Sequence, residues 1–239
     1  MTERLTWLGH ATVLLELGGA RLLTDPVLRG RIGHLRRHAP APPDPGPIDA
    51  VLLSHMHRDH LDRPSLRRVR APLVVVPRGA RLSGARELGA GESLAVGGAT
   101  VLAVRAAHDG RRAPWSPAIE SLGYLVEGRR RVYFAGDTEL FAGMADLAGM
   151  LDVALVPVAG WGPDLGAGHM GPEEAAEAVA LLRPRIAIPI HWGTFLRVGL
   201  RGARARLDDP PHAFAARVRE RAPGVRTEVL APGGSLDLV

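Results

Sequence analysis

Cysteine is missing from all 239 residues. That excludes disulfides and thiolate ligands, so a tightly held metal ion has to be taken by His, Asp or Glu. Lysine is missing as well, and all 30 basic residues are arginine. No apolar run approaches the roughly 20 residues that span a bilayer. The opening residues, Met1 to Trp7, have neither an apolar h-region nor a small-residue cleavage site. A cytoplasmic protein without a transmembrane segment is therefore expected. There is also no self-similarity at a short fixed period, which sets aside solenoids and propellers.

What is present fits a globular chain, with 46% hydrophobic and 23% charged residues. The length allows one large domain or two small ones, and continuity of character along residues 1–239 favours a single domain. The net charge of +5 admits a nucleic-acid binder. Arginine without lysine in an Ala- and Gly-rich chain is better explained by codon bias in a GC-rich genome. Pairs such as Arg67-Arg68 then read as solvated charge on helix faces.

Short strands are predicted at residues 4–8, 12–17 and 21–24, with a turn at Gly18-Gly19. A Pro-rich stretch from Pro40 to Pro47 falls in a long connection, residues 26–48, that reads as a lid-like loop. Continuous apolar runs at 50–53, 73–76, 153–158 and 185–190 suggest strands buried on both faces. Helices are predicted at 172–182, with Pro172, Glu173 and Glu174 in the first turn, and at 211–221. Strands and helices in this order fit an α/β protein built as a four-layer αββα sandwich.

The most informative segment is Ser54-His55-Met56-His57-Arg58-Asp59-His60, directly after the buried run at 50–53. Imidazoles and a carboxylate this dense form a mixed metal-ligand set. His57 follows His55 at a spacing that lets one loop turn two rings toward one ion, leaving Asp59 and His60 for a neighbour. Asp25, His108, Asp137 and His191 each follow a predicted strand. In layered α/β folds ligands gather outside the carboxyl ends of strands, so these distant residues can converge.

The segment His55–His60 resembles the His-x-His-x-Asp-His signature of the metallo-β-lactamase superfamily. More narrowly the chain resembles the N-acylphosphatidylethanolamine-hydrolysing phospholipase D group and the ascorbate-6-phosphate lactonase group. The resemblance is carried by Thr6-Trp7-Leu8-Gly9-His10-Ala11-Thr12-Val13, Leu23-Thr24-Asp25-Pro26, Phe134-Ala135-Gly136-Asp137-Thr138, His169-Met170-Gly171-Pro172 and Ile190-His191-Trp192-Gly193-Thr194. It implies two divalent ions, zinc first, with manganese or iron in its place. His55, His57 and His108 would hold one ion and Asp59, His60 and His191 the other, with Asp137 bridging. Asp25 would orient the histidine loop, with His10 packing in support. After His108 the chain departs from the phospholipase pattern, reading Asp109-Gly110-Arg111-Arg112 where that group places Trp.

Two divalent ions supply a bridging hydroxide at neutral pH and stabilise a developing oxyanion. With Asp59 and Asp137 as the only carboxylate ligands, positive charge is left over, which favours an anionic substrate. Asp59 is taken as catalytic as well as a ligand, and His169 as the group that steadies the transition state or protonates the leaving group. Arg111 is expected to pair with a substrate phosphate or carboxylate. Trp192, beside a ligand, is expected to wall an apolar pocket, with Trp115 and Trp161 as further candidates. His34, His38 and His212 lack supporting spacing and read as surface residues. The expected function is metal-dependent hydrolysis of a small anionic ester, lactone or phosphodiester, by a monomer or a homo-oligomer. A nuclease-type phosphodiesterase and a non-enzymatic metal-stabilised binding protein are the alternatives. No specific nucleic-acid partner is expected.

Overall fold

The computed structural model describes residues 2–112, 115–160, 165–199 and 209–239. The first half of the chain contains β1 (Glu3–Gly9), β2 (Thr12–Leu17), β3 (Ala20–Thr24), β4 (Arg31–Ile32), β5 (Leu35–Arg37) and β6 (Ala50–Leu52). After α1 (Arg63–Val69) come β7 (Leu73–Pro77), β8 (Arg86–Leu88), β9 (Ser93–Val96) and β10 (Ala99–Ala106). Then follow β11 (Ser121–Glu127), β12 (Arg131–Phe134), a 3₁₀ turn at Ala142–Leu147, β13 (Val153–Pro157) and α2 (Pro172–Leu182). The chain closes with β14 (Ile186–Ile190), β15 (Phe195–Arg197), α3 (Asp209–Arg221), β16 (Arg226–Thr227) and β17 (Ser235–Leu238).

Two seven-stranded sheets carry the fold, in the orders β17-β1-β2-β3-β6-β7-β8 and β16-β14-β13-β12-β11-β10-β9. Each is antiparallel on one side and parallel on the other. Neighbouring residues on one strand face opposite ways, and the core divides accordingly. Leu15, Leu22, Leu52 and Val75 join the large cluster shared with Val101, Tyr124, Phe134 and Leu155 of the other sheet. Their neighbours Leu14, Leu23, Val51 and Val76 join a second cluster, against which Leu66 and Val69 of α1 pack. On the far side α2 packs on β13 and α3 on β14. The layers are thus helix, sheet, sheet, helix, the four-layer αββα sandwich expected from the sequence. Strands buried on both faces need apolar residues at every position, which is why β6 and β13 read as unbroken runs.

The 26–48 connection is more structured than the lid-like loop expected from its prolines. It contains the β4–β5 hairpin, which pairs with β15 in a third, three-stranded sheet. Val27, Ile32, Leu35 and Phe195 form a small core of their own there. Farther along, the Arg21 side chain donates to Pro45 O at 2.5 Å and Pro47 O at 2.9 Å, docking the Pro-rich part on β3. Carbonyls without ladder partners are satisfied by arginine instead of by a sheet.

Candidate metal centre

Every candidate ligand lies on a segment leaving the carboxyl end of a strand. His55, His57, Asp59 and His60 follow β6, His108 follows β10, Asp137 follows β12, and His191 directly follows β14. The histidine loop is short and closed. The amides of His60 and Leu61 both donate to His57 O, at 3.2 and 2.8 Å, and Asp62 then caps α1 by accepting from Ser65 N.

The ligand atoms of His55, His57 and His108 lie within 4.8 Å of one another, and so do those of His10, Asp59, His60 and His191. Asp137 stands within that distance of His55 and His60, and also of His108 and His169. His57 Nδ1 is 3.0 Å from His55 Nε2 and 3.2 Å from His108 Nε2. Asp137 presents Oδ2 at 3.1 Å from His60 Nε2 and Oδ1 at 3.2 Å from His191 Nε2. Two ligands bound at 2.0–2.2 Å to one tetrahedral ion stand about 3.3 Å apart, so these separations suit shared ions. A sharper test is polar satisfaction. His60 Nε2, His191 Nε2 and Asp137 Oδ1 are buried and make no hydrogen bond. Each such atom costs about 1–3 kcal/mol when left bare, and a cation among them would remove that cost. The donor set fits divalent ions.

The rings are held from behind. His60 Nδ1 meets Asp25 Oδ2 at 2.8 Å, His108 Nδ1 meets Gly168 O at 2.8 Å, and His191 Nδ1 meets Ala159 O at 2.6 Å. His55 Nδ1 meets Ser54 Oγ at 3.0 Å, and that hydroxyl donates to Asp25 Oδ2 at 2.5 Å. For His55, His108 and His191 the acceptors behind Nδ1 place its proton there and leave Nε2 with a lone pair facing inward. Asp25 is fully buried and also accepts from Ser54 N at 2.7 Å, so one carboxylate orients two ligand rings. Gly168 is required at its position: its φ is +83°, and a Cβ there would stand 2.4 Å from His108 Nδ1.

His10 sits in a left-handed turn with φ of 54°. Its backbone N donates to Thr194 Oγ1, and its O accepts from Trp7 Nε1 and His191 N. This fixes its Nε2 at 3.2 Å from Asp59 Oδ2. His169 anchors Nδ1 on Ala167 O at 3.0 Å and brings Nε2 to 3.3 Å from Asp137 Oδ2.

Burial above all, with neighbouring imidazoles adding, drives His55 well below the usual histidine range and takes His57 to about 4 and His191 to about 3. Burial also lowers His108. For His60 burial pulls downward, but Asp137 and Asp25 outweigh it and hold the ring well above its ordinary value. Burial works against the charges of Asp59 and Asp137, yet the surrounding histidines hold both carboxyls well below theirs. The His169 proton is likewise favoured by Asp137 against the effect of burial.

Some expected contacts are placed otherwise. Trp192 is buried in the main core with its ring 5.0 Å from that of Trp7 and its Nε1 bonded to Pro189 O. His191 has φ of 66°, which aims its ring at the centre and turns the next side chain away. Arg111 is paired with Asp109, Nε lying 2.8 Å from both carboxylate oxygens. Trp115 is 88% exposed, and Trp161 lies outside the described residues. His34, His38 and His212 are exposed. Sequence reasoning assigned no role to Ser54 or Gly168, and Arg112, which with Arg111 was a candidate for pairing with a substrate anion, instead donates to Met56 O and Leu61 O. The signal for Ser54 was its place between a buried strand and His55. Beside His108 opens a cleft of about 530 Å³, lined among others by Arg105, Asp109, Glu120 and Glu139.

The beta-lactamase superfamily domain matches residues 20–192. A UPF0173 metal-dependent hydrolase of Methanopyrus kandleri is 34% identical over 98% of this chain and 99% of its own length. N-acyl-phosphatidylethanolamine-hydrolyzing phospholipase D 1 of Caenorhabditis elegans is 33% identical over 80% of this chain and 64% of its own. Among solved structures, the metallo hydrolase Igni18 of Ignicoccus hospitalis superposes with a TM-score of 0.75 at 22% identity, covering 100% of this chain and 99% of that one.

Proposed function

Since this chain belongs to the metallo-β-lactamase superfamily and is a metal-dependent hydrolase, we propose that it cleaves a small anionic ester, lactone or phosphodiester with two divalent ions, zinc before manganese or iron. The observation that carries this reading is the convergence of three buried, unbonded atoms, His60 Nε2, His191 Nε2 and Asp137 Oδ1, between two clusters of ligand-bearing side chains. His55, His57 and His108 would hold one ion, Asp59, His60 and His191 the other, and Asp137 both. When bound, such ions supply hydroxide at neutral pH and stabilise charge developing on a carbonyl or phosphoryl oxygen. The protein's own groups do the rest. Asp25 and Ser54 fix the ring directions, and His10 holds Asp59. His169 keeps a proton through its contact with Asp137 and gives it to the leaving group. Likeness to a phospholipase D supports the phosphodiester member of the substrate set. No helix among the described residues is long and apolar enough to cross a membrane. A single domain, working in the cytoplasm alone or as a homo-oligomer, completes the proposal.

Metal analysis after reconstitution with zinc or manganese, followed by a screen of lactones, phosphodiesters and phosphomonoesters, tests it. About two ions per chain are expected. Asp137→Ala should lose the most metal and nearly all activity. His169→Ala should keep its metal and lower kcat by roughly 10²–10⁴. A reconstituted protein without bound transition ions would sink the reading. Equal turnover of neutral and anionic esters would remove the anionic preference alone.

A further inference from the structure

Two adjacent arginines follow His108, and their side chains part. Arg111 folds back on Asp109. Arg112 is half-buried, and its Nη1 donates to Met56 O at 3.0 Å and to Leu61 O at 2.9 Å. Those two carbonyls bracket residues 57–60, three of which are candidate ligands. Met56 N also donates to Gly110 O at 3.1 Å. The segment after β6 and the segment after β10 are thereby joined at three points, and each carries ligands for the same ion.

We propose that Arg112 is a positioning residue that clamps the His57–His60 turn, so that its ligand atoms are set before any ion arrives. One nitrogen reaching both ends of a turn fixes the distance between those ends. A loop with its two ends fixed has less freedom to lose when a ligand binds, which is how preorganisation raises affinity. Inside the turn the amides of His60 and Leu61 share His57 O, so the turn has its own closure but no ladder to hold it. The clamp adds a restraint at both ends of the turn to those that Asp25 places on His60 and His10 on Asp59 within it. It comes from the partner loop, so the placement of His57 and of His108 is coupled through one side chain. The inference rests on the two-ion reading of the centre, but its structural half concerns the metal-free chain.

The experiment compares wild type, Arg112→Ala and Arg112→Lys in two ways. Amide exchange is followed at His60 and Leu61 in the metal-free protein, and zinc retention is followed by chelator competition, with cobalt absorption reporting ligand geometry. Arg112→Ala should speed exchange at these two amides while β6 and β10 stay protected. It should weaken zinc retention about 10–100-fold, the range for residues that orient ligands. Millimolar guanidinium ion, refilling the vacated socket, should restore both. Arg112→Lys should fall between, because an ammonium carries fewer fixed donors. Unchanged exchange and unchanged zinc retention in Arg112→Ala overturn the proposal. So does faster exchange spread over both sheets, since that marks a general loss of stability. If Arg112→Ala does not fold, Arg112→Lys decides alone: a local, partial effect supports the clamp and no effect overturns it. A wild type that retains no zinc defeats the two-ion reading, and the amide exchange still decides the clamp.

Discussion

At the candidate centre, residues divide into those whose ligand atoms converge and those that hold them in place, and the first kind sets the pH behaviour. Burial takes His57 to about 4 and His191 to about 3, against about 6.5 in an unfolded chain. Above pH 6.5 both states carry these rings neutral. Below it the unfolded chain takes up protons that the folded chain refuses, so stability falls as pH drops from 6.5 through 4 toward 3. His60 works in the other sense: its raised value adds stability below 6.5 that is lost as pH climbs through that value. The metal-free protein should therefore show a melting temperature declining steadily from pH 6.5 to 4, and less steeply in His57→Gln. Parallel wild-type and variant curves would assign the acid limb to other groups. The converging residues were legible in the sequence because their types and spacing are chemical. Of their supports, Asp25 and His10 were named from the family resemblance, and the rest were not. Gly168 holds His108 from 60 residues away, and Trp192 turns inward because of a backbone angle at His191 that no residue pattern announces.

At the scale of elements, the buried strands and α2 were legible because unbroken apolar runs and a Pro-Glu-Glu start are local signals, and their ends fall within about two residues of expectation. The β4–β5 hairpin was not, because its partner β15 lies far along the chain and its strands are two and three residues long. Its anchor is Arg37, whose guanidinium is buried over the Phe195 ring and donates to Val27 O at 2.7 Å, Arg29 O at 3.3 Å, Leu8 O at 3.4 Å and Pro40 O at 3.5 Å. Burial without a carboxylate lowers its pKa to about 10. Arg37→Met keeps most of the volume and removes every donor. Urea unfolding should report a loss of about 2 kcal/mol, with amide exchange speeding first at residues 31–37. Exchange in the hairpin equal to wild type would show that the small core around Phe195 suffices by itself.

For the molecule as a whole, the question is what ties two sheets together beyond apolar contact. Gly98 N donates to Gly18 O at 2.9 Å, and Glu3 reaches farther. Glu3 is buried on β1, yet its Oε1 accepts from Gly18 N in one sheet's turn and from Arg129 N in the other's, while Oε2 accepts from Arg130 N at 2.8 Å. Glu3→Gln would set an amide against one of these donors. It should lower the unfolding free energy by about 1–3 kcal/mol without shifting metal content. An unchanged urea midpoint would make the carboxylate incidental. That same strand has a consequence for synthesis. Thr6 meets Ser235 across the β1–β17 pair, 229 residues apart. At roughly 5–20 residues per second, the outer edge of β1 waits on the order of ten to fifty seconds for its partner to leave the ribosome. During that interval an open ladder is exposed to neighbouring nascent chains, and Glu3 and Arg4 put charge on it, the feature that discourages edge-to-edge pairing. Crowded translation at high expression should therefore be the condition under which this protein is lost to aggregation, even when the finished fold is stable.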